Sequence, residues 1–146
     1  MMFKNLKQGF YKPQYPEKYE GNIDNIVYRS GLELKYFKFC DSNKNILKWN
    51  SEEVIVPYIS VDSREHRYFL DLWMRVITKT GNIQEYICEI KPLIFLKPPQ
   101  NPKRRTKQWT AKYKTWLINQ SKWSSAKKYA DQKGWKFIIL TEKDIK

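Results

Sequence analysis

The strand pattern around which the chain is organised runs from Phe69 to Lys91. Two stretches rich in aromatic and β-branched residues, Phe69 to Thr78 and Ile83 to Lys91, flank Lys79-Thr80-Gly81 and predict two strands joined by a three-residue hairpin loop. Gly81 occupies the last loop position, where the backbone turns left-handed. That register pairs Thr78 with Asn82, and counting outward in steps of two brings Asp71 opposite Glu89. Side chains alternate along a strand, so Ile87, Glu89 and Lys91 point one way while Tyr86, Cys88 and Ile90 point the other. Two carboxylates and an ammonium therefore gather on one face.

Around this hairpin the pattern predicts a helix over Ile26 to Asp41, with Leu32, Tyr36, Phe39 and Cys40 as its apolar stripe. Ser30 and Glu33 form a Ser-x-x-Glu capping box at its start, and Gly31 suggests close backbone approach. Asp41 to Asn45 reads as a turn, Trp49 as packing under a sheet edge, and Glu53 to Ile59 as a strand that Pro57 confines to an edge or end. Ser60 to Glu65 reads as the turn into the central hairpin. After Pro92, which ends the third strand, the helical pattern resumes over Trp109 to Asp131, where Trp109, Tyr113, Trp116, Leu117, Trp123 and Ala130 form a face expected to cover the sheet. Gly134 is placed to end this helix, and Lys136 to Glu142 follows as a strand. A helix crossing over before a last strand gives a mixed sheet, so the expectation is one α/β domain over residues 26–146. Its order is helix, three strands with an antiparallel hairpin, helix, strand. Residues 1–25, interrupted by Pro13 and Pro16, read as an extended arm lying on the domain or on another protein.

Charge changes this picture more than length does. Among 146 residues, 28 basic side chains outweigh 15 acidic ones to give a formal charge of +13, an excess that favours a polyanion such as DNA. Basic residues are dense in the proline-stiffened segment Leu93 to Lys107, where Lys97, Lys103, Arg104 and Arg105 are candidate phosphate contacts. Arg29, just before the first helix, suits a phosphate contact and a surface charge equally well. Cys40 and Cys88 fall within apolar patterns and read as core residues of a reducing compartment. No apolar run approaches membrane-spanning length and no signal-peptide core precedes the domain, so a soluble intracellular protein is expected.

Two carboxylates about 5 Å apart repel unless one keeps a proton or a cation joins them. Few hard oxygen ligands suit Mg²⁺, with Mn²⁺ as a substitute, whereas zinc prefers histidine and cysteine. His66, the sole histidine, reads as a strand-lining polar residue. Lys91 beside such an ion can orient a water and offset charge on a phosphate, which suggests phosphodiester hydrolysis. Taken alone, the same residues on a hairpin are more often a solvated face with a cross-strand ion pair.

An Asp on one strand followed by Glu-x-Lys on the next, here Asp71 and Glu89-Ile90-Lys91, resembles the signature of the PD-(D/E)XK nuclease superfamily. Together with Tyr28 to Tyr36, Ser51 to Tyr58 and His66 to Asp71, the chain from about Tyr11 to Leu140 is similar to the head completion nucleases of T-even-type tailed phages. Leu70 stands where the superfamily pattern has proline, a position that carries no chemistry. The resemblance implies a restriction-endonuclease-like core and a catalytic set of Glu33, Asp71, Glu89 and Lys91, with Glu33 joining Asp71 and Glu89 around the metal. It also implies DNA trimming or cutting at a packaged phage head, with head or neck proteins as partners, in the host cytoplasm or on the virion. Cutting both strands together would be simplest for a homodimer. The alternatives are a non-catalytic protein that binds DNA ends or the head, and a transposase-associated or repair endonuclease of the same superfamily.

Overall fold

Gly81 adopts φ +85° and Thr78 N–H donates to the Asn82 carbonyl at 2.7 Å, so the central hairpin closes as the loop chemistry dictates. Its strands are β6 (Leu72–Ile77) and β7 (Ile83–Ile90), paired antiparallel with Leu72 opposite Cys88. The computed structural model describes residues 8–145; the first seven positions of the expected arm, with Lys4 and Lys7, lie outside the described residues.

Before the hairpin come β1 (Gly9–Phe10), β2 (Val27–Tyr28), α1 (Gly31–Ser42), β3 (Ile46–Asn50), β4 (Ile55–Ile59) and β5 (Glu65–Phe69). After it come a short 3₁₀ turn (Leu93–Leu96), α2 (Lys107–Lys133) and β8 (Lys136–Leu140). The main sheet has the order β3-β6-β7-β8, with β8 parallel to β7 and the other neighbours antiparallel, which is the mixed sheet expected. Its first strand is β3, which the turn cluster and Trp49 had masked in the pattern. The segment expected to supply that strand instead forms β4, and β4 pairs with β5 in a separate two-stranded hairpin. The turn after Ser60 closes that hairpin, with Ser60 N–H donating to the Arg64 carbonyl, rather than leading into the central one.

α1 begins at Gly31, five residues later than its apolar pattern suggests, because Val27 and Tyr28 pair with Gly9 and Phe10. Gly31 needs no close approach, since a Cβ there would meet nothing within 4 Å. The buried stripe of α1 is Tyr36, Phe37 and Cys40; Phe39 is 42% exposed. These residues pack on Trp49, Leu72, Met74, Cys88 and Ile90, forming the core on one side of the sheet. On the other side, Trp73 and Ile87 meet Ala126 and Ala130 of α2 and Tyr58 and Tyr68 of the small hairpin. Both cysteines are fully buried and unlinked.

The described part of the arm lies on α1 and β3. Asp41 accepts from the Tyr11 hydroxyl and from the backbone N–H groups of Gln14 and Tyr15, while Lys18 donates to the Cys40, Asp41 and Asn43 carbonyls at the helix end. That ammonium offsets the negative end of the helix dipole.

Thr106 caps α2, and Gly134, at φ +73°, ends it. The aromatic face of its first half does not cover the sheet. Trp109, Tyr113 and Trp116 stack on one another at centroid spacings of 5.2 and 6.0 Å, and only from Asn119 onward does the helix carry buried residues. At 27 residues α2 is longer than its five-residue neighbour β8, so its N-terminal half projects past the sheet.

Candidate active site

Asp71 owes its position to a break in what sequence pattern alone renders as one strand. Leu70 N–H donates to the Val54 carbonyl, and the Leu70 carbonyl accepts from Glu52 N–H, both at 3.0 Å. Those bonds tie the chain to the segment ahead of β4, so β5 stops at Phe69 and β6 starts at Leu72. Asp71 is left between them, and its Oδ2 accepts from Ile90 N–H at 2.8 Å, across the end of the hairpin.

Glu89, 9% exposed, follows Ile87 on the α2 side of β7. Its Oε1 accepts from the Tyr68 hydroxyl and its Oε2 lies 3.7 Å from Lys91 Nζ. Lys122 Nζ stands 5.5 Å from the centre of the Tyr68 ring. Burial holds the Tyr68 hydroxyl protonated well above its usual range, reinforced by the Glu89 charge. It is a committed donor to Glu89. Removing it in Tyr68→Phe should lower activity by roughly tenfold while leaving the fold intact, checked by cleavage rate and thermal melting side by side.

Burial pushes the Asp71 carboxyl well above the usual carboxylate range, and the Glu89 and Glu33 charges push it further; Ile90 N–H and Lys91 pull it back. Glu33 is raised too, first by burial, with Arg29 N–H and the Arg29 charge opposing. Its geometry matches the capping role closely: Ser30 Oγ accepts from Glu33 N–H, and Glu33 Oε1 accepts from Arg29 N–H, one residue ahead of the box expected. Capping therefore does not remove Glu33 from the electrostatic field of Glu89.

Glu89 lies 3.7 Å from Lys91 and acts through its charge on Asp71, while Glu33 is linked to Asp71 and Glu89 through space alone. Arg29 precedes α1 and its guanidinium is paired with Glu52, a residue with left-handed φ of +58° for which the sequence pattern offers no signal. Tyr68 was equally hidden, since only the folding of β5 against β4 brings it to Glu89. Lys97 lines a cavity together with Lys91, and Arg105 lies over the Trp109 ring at 4.9 Å. Lys103 and Arg104 are exposed in the loop ahead of α2. His66 is turned away, bonded to Asp62 and stacked on Tyr58.

Among the described residues, no three His, Cys, Asp or Glu side chains form a ready-made metal cage. The donor set nevertheless fits Mg²⁺, which is commonly held by one or two carboxylates with waters and substrate phosphates completing its shell. The raised Asp71 carboxyl beside Glu89 is the charge conflict that a divalent cation relieves.

The sequence model of the family described as "TnsA-like endonuclease N terminal" matches residues 43–142, from just ahead of β3 to just past β8. The chain belongs to this family. Among curated proteins it is 36% identical, over 143 residues, to the protein named Head completion nuclease of Enterobacteria phage T4, covering 94% of this chain and 93% of that protein. Membership in the TnsA-like endonuclease family makes this chain a nuclease with a PD-(D/E)XK-type domain, and the mixed sheet with a helix on each face agrees with the restriction-endonuclease-like core. The matched stretch takes in Asp71, Glu89 and Lys91, whereas Glu33 lies ahead of it and within the longer similarity to the phage protein.

Proposed function

We propose that this TnsA-like nuclease hydrolyses DNA phosphodiester bonds with Mg²⁺ held by Asp71 and Glu89, Glu33 assisting, and Lys91 as the catalytic ammonium. The observation that carries the reading is the meeting of Asp71 with the end of β7, where its carboxylate takes the Ile90 N–H beside Glu89 and Lys91. When bound, the ion supplies Lewis-acid polarisation of the phosphate and a more acidic attacking water. Lys91 places its N–H donors where a phosphoryl oxygen gains charge. Tyr68 fixes one Glu89 oxygen, leaving the other toward Lys91. Arg29, Lys97, Lys103, Arg104 and Arg105 hold the phosphate backbone.

The biological task proposed is completion of a packaged phage head, with head or neck proteins as partners, supported by similarity to the T4 protein along nearly the whole chain, arm included. A transposase-associated role would be suggested by the family description alone, which covers only residues 43–142. Incubating supercoiled and linear DNA with the protein at low salt tests the chemistry. Strand breakage that needs Mg²⁺ and stops with chelator is expected. Tight, salt-sensitive DNA binding with no breakage in Mg²⁺ or Mn²⁺ would instead support a DNA-end-binding protein.

A further inference from the structure

Next to Lys91, the loop from Ile94 to Gln100 and the projecting half of α2 line an open cavity of about 740 Å³. That is within the roughly 300–1,000 Å³ of small-ligand sites and ample for a nucleobase with its sugar. Its walls are tied at both ends: Leu93 N–H donates to Glu142 Oε1 at 2.8 Å, and Trp109 Nε1 donates to the Gln100 carbonyl at 2.7 Å. Phe95, Pro98 and the Trp116 ring give it flat apolar surfaces.

Two features point to a ligand. Asn119, 8% exposed, presents the cavity with an amide whose donors and acceptor suit a base edge. The charged residues of the lining are Lys91, Lys97 and Lys112, with no acid among them. An aromatic face, a largely buried amide and a rim of lysines together match an unstacked nucleotide: π-surface, base edge and phosphates.

We propose that this cavity receives an unpaired nucleotide of the DNA strand adjoining the scissile phosphate, so that the substrate class is duplex DNA bearing a single-stranded or frayed segment. This rests on the nuclease reading and deepens it. Lys91 lines the cavity and also lies 3.7 Å from Glu89, so a base seated there draws the neighbouring backbone across Glu89. A paired base cannot enter without unstacking, and that cost sets the preference for unpaired DNA. Through Trp116 the cavity joins the Tyr113 and Trp109 stack, which offers further faces to following bases.

The test is fluorescence-anisotropy binding in chelator, comparing a blunt duplex with the same duplex carrying a short single-stranded tail, followed by cleavage of both in Mg²⁺. Wild type is expected to bind the tailed DNA roughly tenfold more tightly, and 2-aminopurine in the tail should be quenched on binding. Thr115→Trp, which fills the cavity from an exposed helix position, should bring the tailed DNA down to the blunt one, and Asn119→Leu should lose several-fold of the preference. Equal wild-type affinity for both DNAs, or a tail preference that survives Thr115→Trp, overturns the cavity assignment even if Mg²⁺-dependent cleavage is found. Tail preference without any cleavage leaves the assignment standing and overturns the nuclease mechanism.

Discussion

Glu89→Gln should abolish DNA cleavage by about a thousandfold or more while preserving DNA binding and fold, measured as nicking rate, anisotropy and melting temperature on the same preparation. The substitution keeps the volume of the side chain and a carbonyl oxygen that can still accept from Tyr68. What it removes is the negative charge shared between the metal, if bound, and Lys91, 3.7 Å away. Replacing Glu89 by Ala would also open a hole at a 9%-exposed position and confuse lost chemistry with lost packing. A Gln variant that still nicks within tenfold of wild type, with the same metal requirement, would remove Glu89 from the active site.

The residues that carry this argument were unevenly visible in the sequence. The three-residue loop ending in Gly81 sets the register of β6 against β7, and Thr78 pairs with Asn82 as that loop requires. Local chemistry specifies a short hairpin fully. The break at Leu70 was invisible, because Phe69 to Thr78 has strand composition throughout and only tertiary bonds to Val54 and Glu52 divide it. β3 carries no visible signal, because Asn43 to Asn45 has turn composition and Ile46-Leu47-Lys48-Trp49 is too short to show a period. In α1, Tyr36 and Cys40 belong to the visible stripe, but Phe37 takes the place of Phe39, because Trp49 and Tyr11 of the arm pack on Phe37 and leave Phe39 42% exposed. The aromatic face of α2 was legible as a face; that half of it overshoots the sheet depends on where β8 ends, which no helical period contains.

The proposed cation site works against the metal-free fold, and Asp71→Asn exposes the conflict. The Asp71 carboxyl titrates higher in the folded protein than in the unfolded chain, because burial and the Glu89 charge disfavour its ionised form. A raised carboxyl means that the folded state holds the proton more tightly. Its contribution is therefore most favourable below the unfolded value near 3.9 and is lost as pH rises through the window from there up to the folded value. Near neutral pH, Asn keeps an oxygen for Ile90 N–H and removes the repulsion. In chelator, Asp71→Asn is expected to melt about 3 °C or more above wild type at pH 7, a gain on the order of 1 kcal/mol, and the gap should narrow toward pH 4. Adding Mg²⁺ should raise the wild-type melting temperature and leave the Asn variant nearly unmoved, since ligand that binds only the folded state stabilises it by mass action. The variant should be inactive throughout. A metal-free Asn variant less stable than wild type at pH 7, or one that gains as much from Mg²⁺ as wild type does, would show that Asp71 is a structural acceptor for Ile90 rather than half of a cation site.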